Sequence, residues 1–118
     1  MSLLDRLREK VSQPQEQPAS ANIPPSEAYS LLQNERRRHI IQFLTESEDQ
    51  EVPVSDIADH LSELGDDRTA CYVSCIQQHI PRLSQSVVDY DEQAKVVQVR
   101  QELYAVADAQ NAVEEALN

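Results

Sequence analysis

The sequence predicts a mainly α-helical domain with one small β-hairpin. Apolar residues recur at helical spacing through most of the chain after residue 25, which predicts several amphipathic helices. Two β-branched runs, residues 87–91 and 95–99, flank a short polar turn, which predicts the hairpin. At 118 residues the chain has room for one domain with a core of its own.

The composition excludes several classes of protein. Only one glycine is present, so the glycine-rich loops that cradle phosphates cannot be formed. Two cysteines do not make a disulfide framework, and no run of apolar residues is long enough to cross a membrane, so we expect a cytoplasmic protein. The net charge of −11 and the near absence of lysine are typical of proteins from concentrated salt, where a short Debye length makes such charge tolerable.

Residues 1–25 are predicted to be a flexible N-terminal segment. Its first part has apolar residues at helical spacing, namely Leu3, Leu4, Leu7 and Val11. The second part is a polar linker rich in proline and glutamine. A helix of about ten residues is marginal in water, so order in the first part would depend on a partner.

Three helices are expected next. Ser26, Asn34 and Ser55 each precede a helical pattern as a possible N-cap. Residues 52–54 are long enough only for an edge strand, and Gly65 is placed to end the third helix.

A fourth helix is expected from about Arg68, with Pro81 as a possible kink. At 100° per residue its apolar face contains Val73, Ile76, Ile80 and Leu83. The opposite face then carries small and hydrogen-bonding side chains: Arg68, Cys71, Ser74, Cys75, Gln78, Arg82 and Gln85.

The chain ends in a helix over residues 100–118. Its apolar stripe has alternating spacings of three and four, and small alanines beside it suit close approach of a second helix. This pattern predicts a homodimer, with an interface formed by Leu103, Val106, Ala109, Gln110, Val113 and Leu117. Packing of the same stripe on its own domain is the alternative.

The order of elements is that of a winged helix-turn-helix over residues 26–99, followed by the dimerisation helix. In that fold the fourth helix enters the major groove of DNA. Residues 46–67 contain nine acids and no lysine or arginine, whereas residues 68–86 contain no acid at all. A helix that faces phosphates cannot carry carboxylates, so this segregation favours DNA contact by the fourth helix. Lys95 and Arg100, beside the second hairpin strand, are predicted to contact the DNA backbone. Burial of the acid-free helix in a bundle is the alternative.

Four stretches carry a resemblance to a known family: LLQNERRRHII (31–41), VSDIADH (54–60), HIPRL (79–83) and VVDYD (87–91). Together they resemble a haloarchaeal winged-helix domain family that is similar in plan to ArsR-type regulators, over residues 27 to about 99. The resemblance implies DNA binding. The chain departs from the family pattern at Ser86, where a glycine is usual, and in a longer link between the third and fourth helices.

Cys71, Cys75 and His79 recur at intervals of four and could in principle form a metal or thiol sensor. Three ligands from one straight helix cannot surround a tetrahedral ion, so we expect no metal and no cofactor. The acidic run has no apolar surroundings that could raise a pKa, and no nucleophile motif is present, so we expect no enzyme and no small-molecule substrate.

The sequence therefore predicts a haloarchaeal, or halophile virus or plasmid, transcriptional regulator. We expect it to bind a palindromic operator in double-stranded DNA as a dimer and to repress by occluding a promoter. The alternative is a winged-helix module that binds proteins and has no affinity for DNA.

Overall fold

A computed structural model describes residues 23–117. The elements in chain order are α1 (Pro25–Leu31), α2 (Glu35–Glu46), β1 (Glu51–Pro53), α3 (Val54–Glu63), α4 (Arg68–Ser74), a π-helical turn (Cys75–His79), α5 (Ile80–Leu83), β2 (Val88–Asp91), β3 (Val96–Val99) and α6 (Gln101–Leu117). The predicted N-terminal segment lies outside the described residues, apart from its last three positions. The expectation of a mainly helical domain with a small hairpin is confirmed.

The helix starts differ in part from those expected. The Asn34 side chain accepts a hydrogen bond from the Arg37 N–H, so Asn34 is the N-cap of α2 as predicted. Neither Ser26 nor Ser55 is a cap, because α1 begins at Pro25 and α3 begins at Val54. Both helices instead follow a proline, whose fixed φ suits the residue before the first turn.

Three strands form one antiparallel sheet in the order β1-β3-β2. The hairpin strands β2 and β3 pair from Val88 with Val99 to Asp91 with Val96. The expected edge strand β1 pairs with the free side of β3, where Val52 lies opposite Val97. Val52, Val88 and Val97 are buried, so one face of the sheet covers the core.

The helices α4 and α5 and the π-helical turn form one continuous helix, the composite helix (residues 68–83). A π-helical turn holds an extra residue, which rotates the following residues by about 100° relative to an α-helix. The turn precedes Pro81, which has no N–H to continue the α-helical ladder. The expected kink at Pro81 is therefore found as a widened turn just before it.

The core lies between the composite helix, the sheet and the helices α2 and α6. Leu31, Ile40, Ile41 and Leu44 from α1 and α2 are fully buried, and so are Ile57, Ile80 and Leu103. Helix α6 packs against α2. No helix of residues 23–117 is long and apolar enough to cross a membrane.

Candidate nucleic-acid interface

The exposed face of the composite helix carries no charge beyond Arg68 at its start. Thr69, Ala70, Val73 and Gln77 project into solvent, and 43% of the Val73 surface is exposed. We call these four residues the exposed stripe. Gln78, Pro81 and Gln85 are also exposed. The helix therefore presents amide, hydroxyl and methyl groups.

The predicted orientation of this helix is wrong in its first half. Val73 was expected in the core and is exposed, whereas Cys71 and Cys75 were expected on the outer face and are fully buried. The π-helical turn explains the difference, because it brings Ile80 and Leu83 onto the same side as the two cysteines. The cysteines accordingly cannot contact DNA in this arrangement.

Burial also makes the two thiols unsuited to sensing. It raises the pKa of Cys75 to about 12, with the neighbouring Cys71 adding to the effect, and it raises the pKa of Cys71. The thiol form is thus favoured, which disfavours both metal ligation and oxidation. Among residues 23–117, no three His, Cys, Asp or Glu side chains lie close enough to hold a metal ion.

Ser74 is half-buried rather than turned to solvent. Its hydroxyl accepts a hydrogen bond from Arg36 Nη1 at 3.0 Å and donates one to the Cys71 carbonyl at 3.1 Å. Arg36 Nη2 donates to Asp66 at 3.2 Å. The predicted DNA contact at Ser74 is thus replaced by a link between α2 and the start of the composite helix.

Arg82 is the second predicted contact that the structure places elsewhere. Its guanidinium donates to both carboxylate oxygens of Glu27, at 2.9 and 2.7 Å, and to the Ser30 hydroxyl at 3.1 Å. These hydrogen bonds from Arg82 lower the pKa of Glu27 to about 2. Arg82 therefore joins α5 to α1, and it could contact DNA only if its bidentate ion pair with Glu27 were broken.

The remaining predicted contacts are accessible to different degrees. Arg68 is exposed and forms an ion pair with Asp59 of α3, which raises the pKa of Arg68. Lys95 is exposed in the hairpin turn with a left-handed φ of 57°, a rare conformation for a lysine. Arg100 is half-buried and donates to Glu102 at 2.5 Å.

The arginine triplet that begins α2 serves the fold. Arg37 donates to the carbonyls of Leu31 and Ser30, and Arg38 donates to the carbonyl of Leu32. These acceptors lie at the end of α1, whose last carbonyls have no partner within the helix. With Arg36 bound to Ser74 and Asp66, every arginine within residues 23–117 already donates to an acceptor in the protein.

Carboxylates lie on the elements next to the composite helix. Asp59, Asp66 and Asp67 lie on α3 and in the turn that precedes α4, and Asp67 caps α4 by accepting from the Ala70 N–H. Asp91 and Glu92 lie in the hairpin, where the Asp91 carboxylate accepts from two turn N–H groups. Asp91 and Glu92 line one cavity with Pro81 and Ser84, so carboxylates lie near both ends of the composite helix.

A polar cavity of about 450 Å³ lies behind the composite helix, beside the start of α2. Arg36, His39, Gln78 and His79 contribute to its lining. Burial, together with the nearby charges of Arg37 and Arg36, lowers the pKa of His79 to about 4, so the imidazole is neutral near pH 7. The lining contains no nucleophile paired with a base.

The predicted dimer interface is largely used within the chain. Leu103 and Val106 are fully buried in the domain's own core, and Gln110 is buried as well. Ala109 is half-buried, and Val113 is 56% exposed. The side chain of Leu117 lies outside the described part of the chain. A second copy therefore cannot contact Leu103, Val106 and Gln110. These three residues pack on their own domain, as the alternative interpretation expected.

Comparison with protein families gives one match. The model of a domain of unknown function, DUF7344, matches residues 29–98, which is more than half of the chain. The chain belongs to the DUF7344 family. The matched region begins within α1 and ends within β3, so it contains the composite helix and all of the sheet except Val99. No curated protein and no solved structure shows significant similarity to this DUF7344 chain.

Sequence reasoning missed Thr69, Ala70, Val73 and Gln77 as the outward residues. The signal that could have found them was the cysteine pair, because free cysteine is among the most buried residue types. If Cys71 and Cys75 are treated as apolar residues, the buried face of the first half of the helix contains them, and Val73 then faces outward.

Proposed function

We propose that this chain is a DNA-binding transcriptional regulator with a winged helix-turn-helix. Helix α3 is the supporting helix of the motif, and the composite helix is the recognition helix that enters the major groove. The β2–β3 hairpin is the wing beside the DNA backbone. The observation that carries the proposal is the exposed stripe, an uncharged face on a chain with a net charge of −11. Carboxylates are absent from the one helix that this geometry would bring closest to phosphates.

The side chains of the stripe indicate the kind of base that it would read. A glutamine amide can bond N6 and N7 of adenine, and methyl groups of alanine, threonine or valine pack against the methyl group of thymine. Gln77 and Gln78 supply the amides, and Ala70 and Val73 supply methyl groups. We therefore expect a preference for A·T base pairs over G·C pairs.

The proposal takes one winged helix as the binding unit. The expected palindromic operator depended on a dimer through α6, and Leu103 and Val106 of that interface are buried within the chain. A footprint of one half-site is the expected result. A two-fold symmetric footprint would instead show that a dimer forms through other residues. Repression by covering a promoter needs nothing beyond this contact.

The salt dependence of binding should be shallow. Affinity for B-DNA falls with the logarithm of salt concentration with a slope of about −0.9 per phosphate neutralised. Because the arginines in residues 23–117 are held by acceptors in the protein, we expect a slope of about −1 to −3, from one to three neutralised phosphates. Binding that survives molar KCl fits a chain whose net charge of −11 needs screening.

The test is selection of bound sequences from random duplex DNA, followed by fluorescence anisotropy across a KCl series. Val73→Asp adds a carboxylate at the centre of the stripe and should weaken binding at least tenfold. Asn111→Asp, which adds the same charge at an exposed position of α6, should bind as the unchanged chain does. Equal affinity of both variants would remove the composite helix from the interface.

A protein-binding module is the second candidate, and one observation favours it. Each arginine in residues 23–117 is bonded within the protein, and carboxylates lie near both ends of the composite helix, so the surface suits a basic partner as well as a groove. Absence of DNA binding at every salt concentration would move the proposal to this class.

A further inference from the structure

A mainly apolar groove of about 510 Å³ lies between α1 and the second half of α6. Tyr29 and Leu32 line one side, and Val113 and Glu114 line the other. Tyr29 is 69% exposed and Val113 is 56% exposed. We call this the α1–α6 groove. Large exposed apolar side chains that share one groove are typical of a binding surface.

We propose that residues 3–11 of the same chain form a short helix that docks in the α1–α6 groove. Leu3, Leu4, Leu7 and Val11 have the spacing of one helical face. Such a short helix needs tertiary contacts for its stability. The groove supplies an apolar surface for that face, and the proposal does not depend on DNA binding.

Charge favours this occupant. At 100° per residue, a helix over residues 3–11 would carry Arg8 and Lys10 on either side of its apolar face, with Asp5 and Glu9 opposite that face. Helix α6 has four acids and no lysine or arginine: Glu102, Asp108, Glu114 and Glu115. The cation at the groove, Arg38, already donates to the Leu32 carbonyl at 2.6 Å. Basic side chains at the edges of the segment would therefore lie near the Glu114 carboxylate, which lines the groove.

The connecting chain has the reach to place the segment there. Residues 12–24 connect the segment to α1 and are thirteen residues, which span at most about 47 Å when extended. They join α1 at its start, and α1 is only about 10 Å long by its seven residues. A short flexible connection gives an effective concentration on the order of millimolar, so at micromolar protein a chain's own segment outcompetes that of a second copy.

Trypsin digestion of the full chain tests the docking. The segment contains three cleavage sites, at Arg6, Arg8 and Lys10, which a docked helix would protect. Val113→Asp places a charge in the groove and should speed cleavage at these sites about tenfold, as expected when a valine contact is replaced by a desolvated carboxylate. Asn111→Asp adds the same charge to an exposed position of α6 outside the groove lining and should leave the rate unchanged. Equal cleavage rates for both variants and the unchanged chain would overturn the proposal.

Disulfide trapping distinguishes the chain's own segment from that of a second copy. Leu4→Cys and Leu7→Cys are each paired with Val113→Cys, and Asn111→Cys replaces Val113→Cys in the controls. The native thiols are buried and stay reduced. A cross-link within one chain, formed with Val113→Cys and absent with Asn111→Cys, is the expected result on a non-reducing gel. Covalent dimers whose yield rises with protein concentration would assign the groove to a second copy and overturn docking within the chain. No cross-link in either pair would overturn docking altogether.

Discussion

Arg68 and Arg82, near opposite ends of the composite helix, were both predicted to contact DNA, and the structure gives them different ion pairs. Arg82 of α5 donates two hydrogen bonds to Glu27 of α1, and about a quarter of each side chain is exposed; we call this contact the α1–α5 joint. Arg68 of α4 makes one contact with Asp59 of α3, and about half of each side chain is exposed; we call this region the α3–α4 edge. Both arginines were predicted to contact DNA from one face of one helix. The comparison shows that only Arg68 can exchange its partner for a phosphate without loss to the fold.

The difference follows from desolvation. At the joint, both charges have lost much of their water, so each depends on the other and on the Ser30 hydroxyl. At the edge, water can replace either partner, and such pairs contribute little to stability. Sequence alone identifies both residues as arginines in an acid-free helix and says nothing of the acid that comes from 55 positions away.

The largest expected effect is that of Arg82→Ala. The substitution leaves the Glu27 carboxylate partly buried without its partner, which should lower the free energy of unfolding by about 2 to 3 kcal/mol. Urea unfolding followed by circular dichroism measures it. Arg68→Ala is the matched control, and its unfolding midpoint should equal that of the unchanged chain. Equal losses of unfolding free energy in the two variants would show that the two ion pairs stabilise the fold equally.

The same pair predicts an acid transition. The pKa of Glu27 is lowered to about 2 from an ordinary value of 4.5, so the Glu27 carboxylate stays ionised to a lower pH in the folded state than in the unfolded state. This contribution is present above pH 4.5 and is lost as the pH falls toward 2. It should amount to about 2 kcal/mol, since partial exposure screens the pair.

Glu27→Gln removes this titration and keeps the shape of the side chain. The variant should be less stable than the unchanged chain at pH 6 and should lose less stability on acidification from pH 4.5 to 2. Urea midpoints at pH 6, 4.5, 3 and 2 give both values. Parallel curves for the two proteins would show that the joint does not control the acid transition.

Much of the fold could be predicted from the sequence because its signals are local. The cap at Asn34, the paired strands 88–91 and 96–99, and the end of α3 near Gly65 each depend on a few neighbouring residues. The orientation of the composite helix was predicted wrongly, because its two halves were assumed to be in phase, and the extra residue of the π-helical turn changes that phase.

The candidate site was predicted less well than the fold. The acid-free composition of residues 68–86 is visible in the sequence, and it still marks the same helix. Which side chains of that helix face outward depends on tertiary partners, such as Arg36 for Ser74 and Glu27 for Arg82. The apolar stripe of α6 was recognised correctly, but a stripe does not state whether its own domain or a second copy covers it.

The smallest expected effect lies at the α3–α4 edge and involves no side-chain bond. Gly65 has a φ of 110°, which residues with a Cβ atom rarely adopt, yet a Cβ built there would meet no atom within 4 Å. Gly65→Ala should therefore cost about 1 kcal/mol, and all of it comes from backbone conformation. Glu63→Ala, at an exposed position of α3 with an ordinary φ, should cost nothing measurable in the same urea titration. A Gly65→Ala variant as stable as Glu63→Ala would mean that the turn can relax and that its backbone conformation does not limit stability.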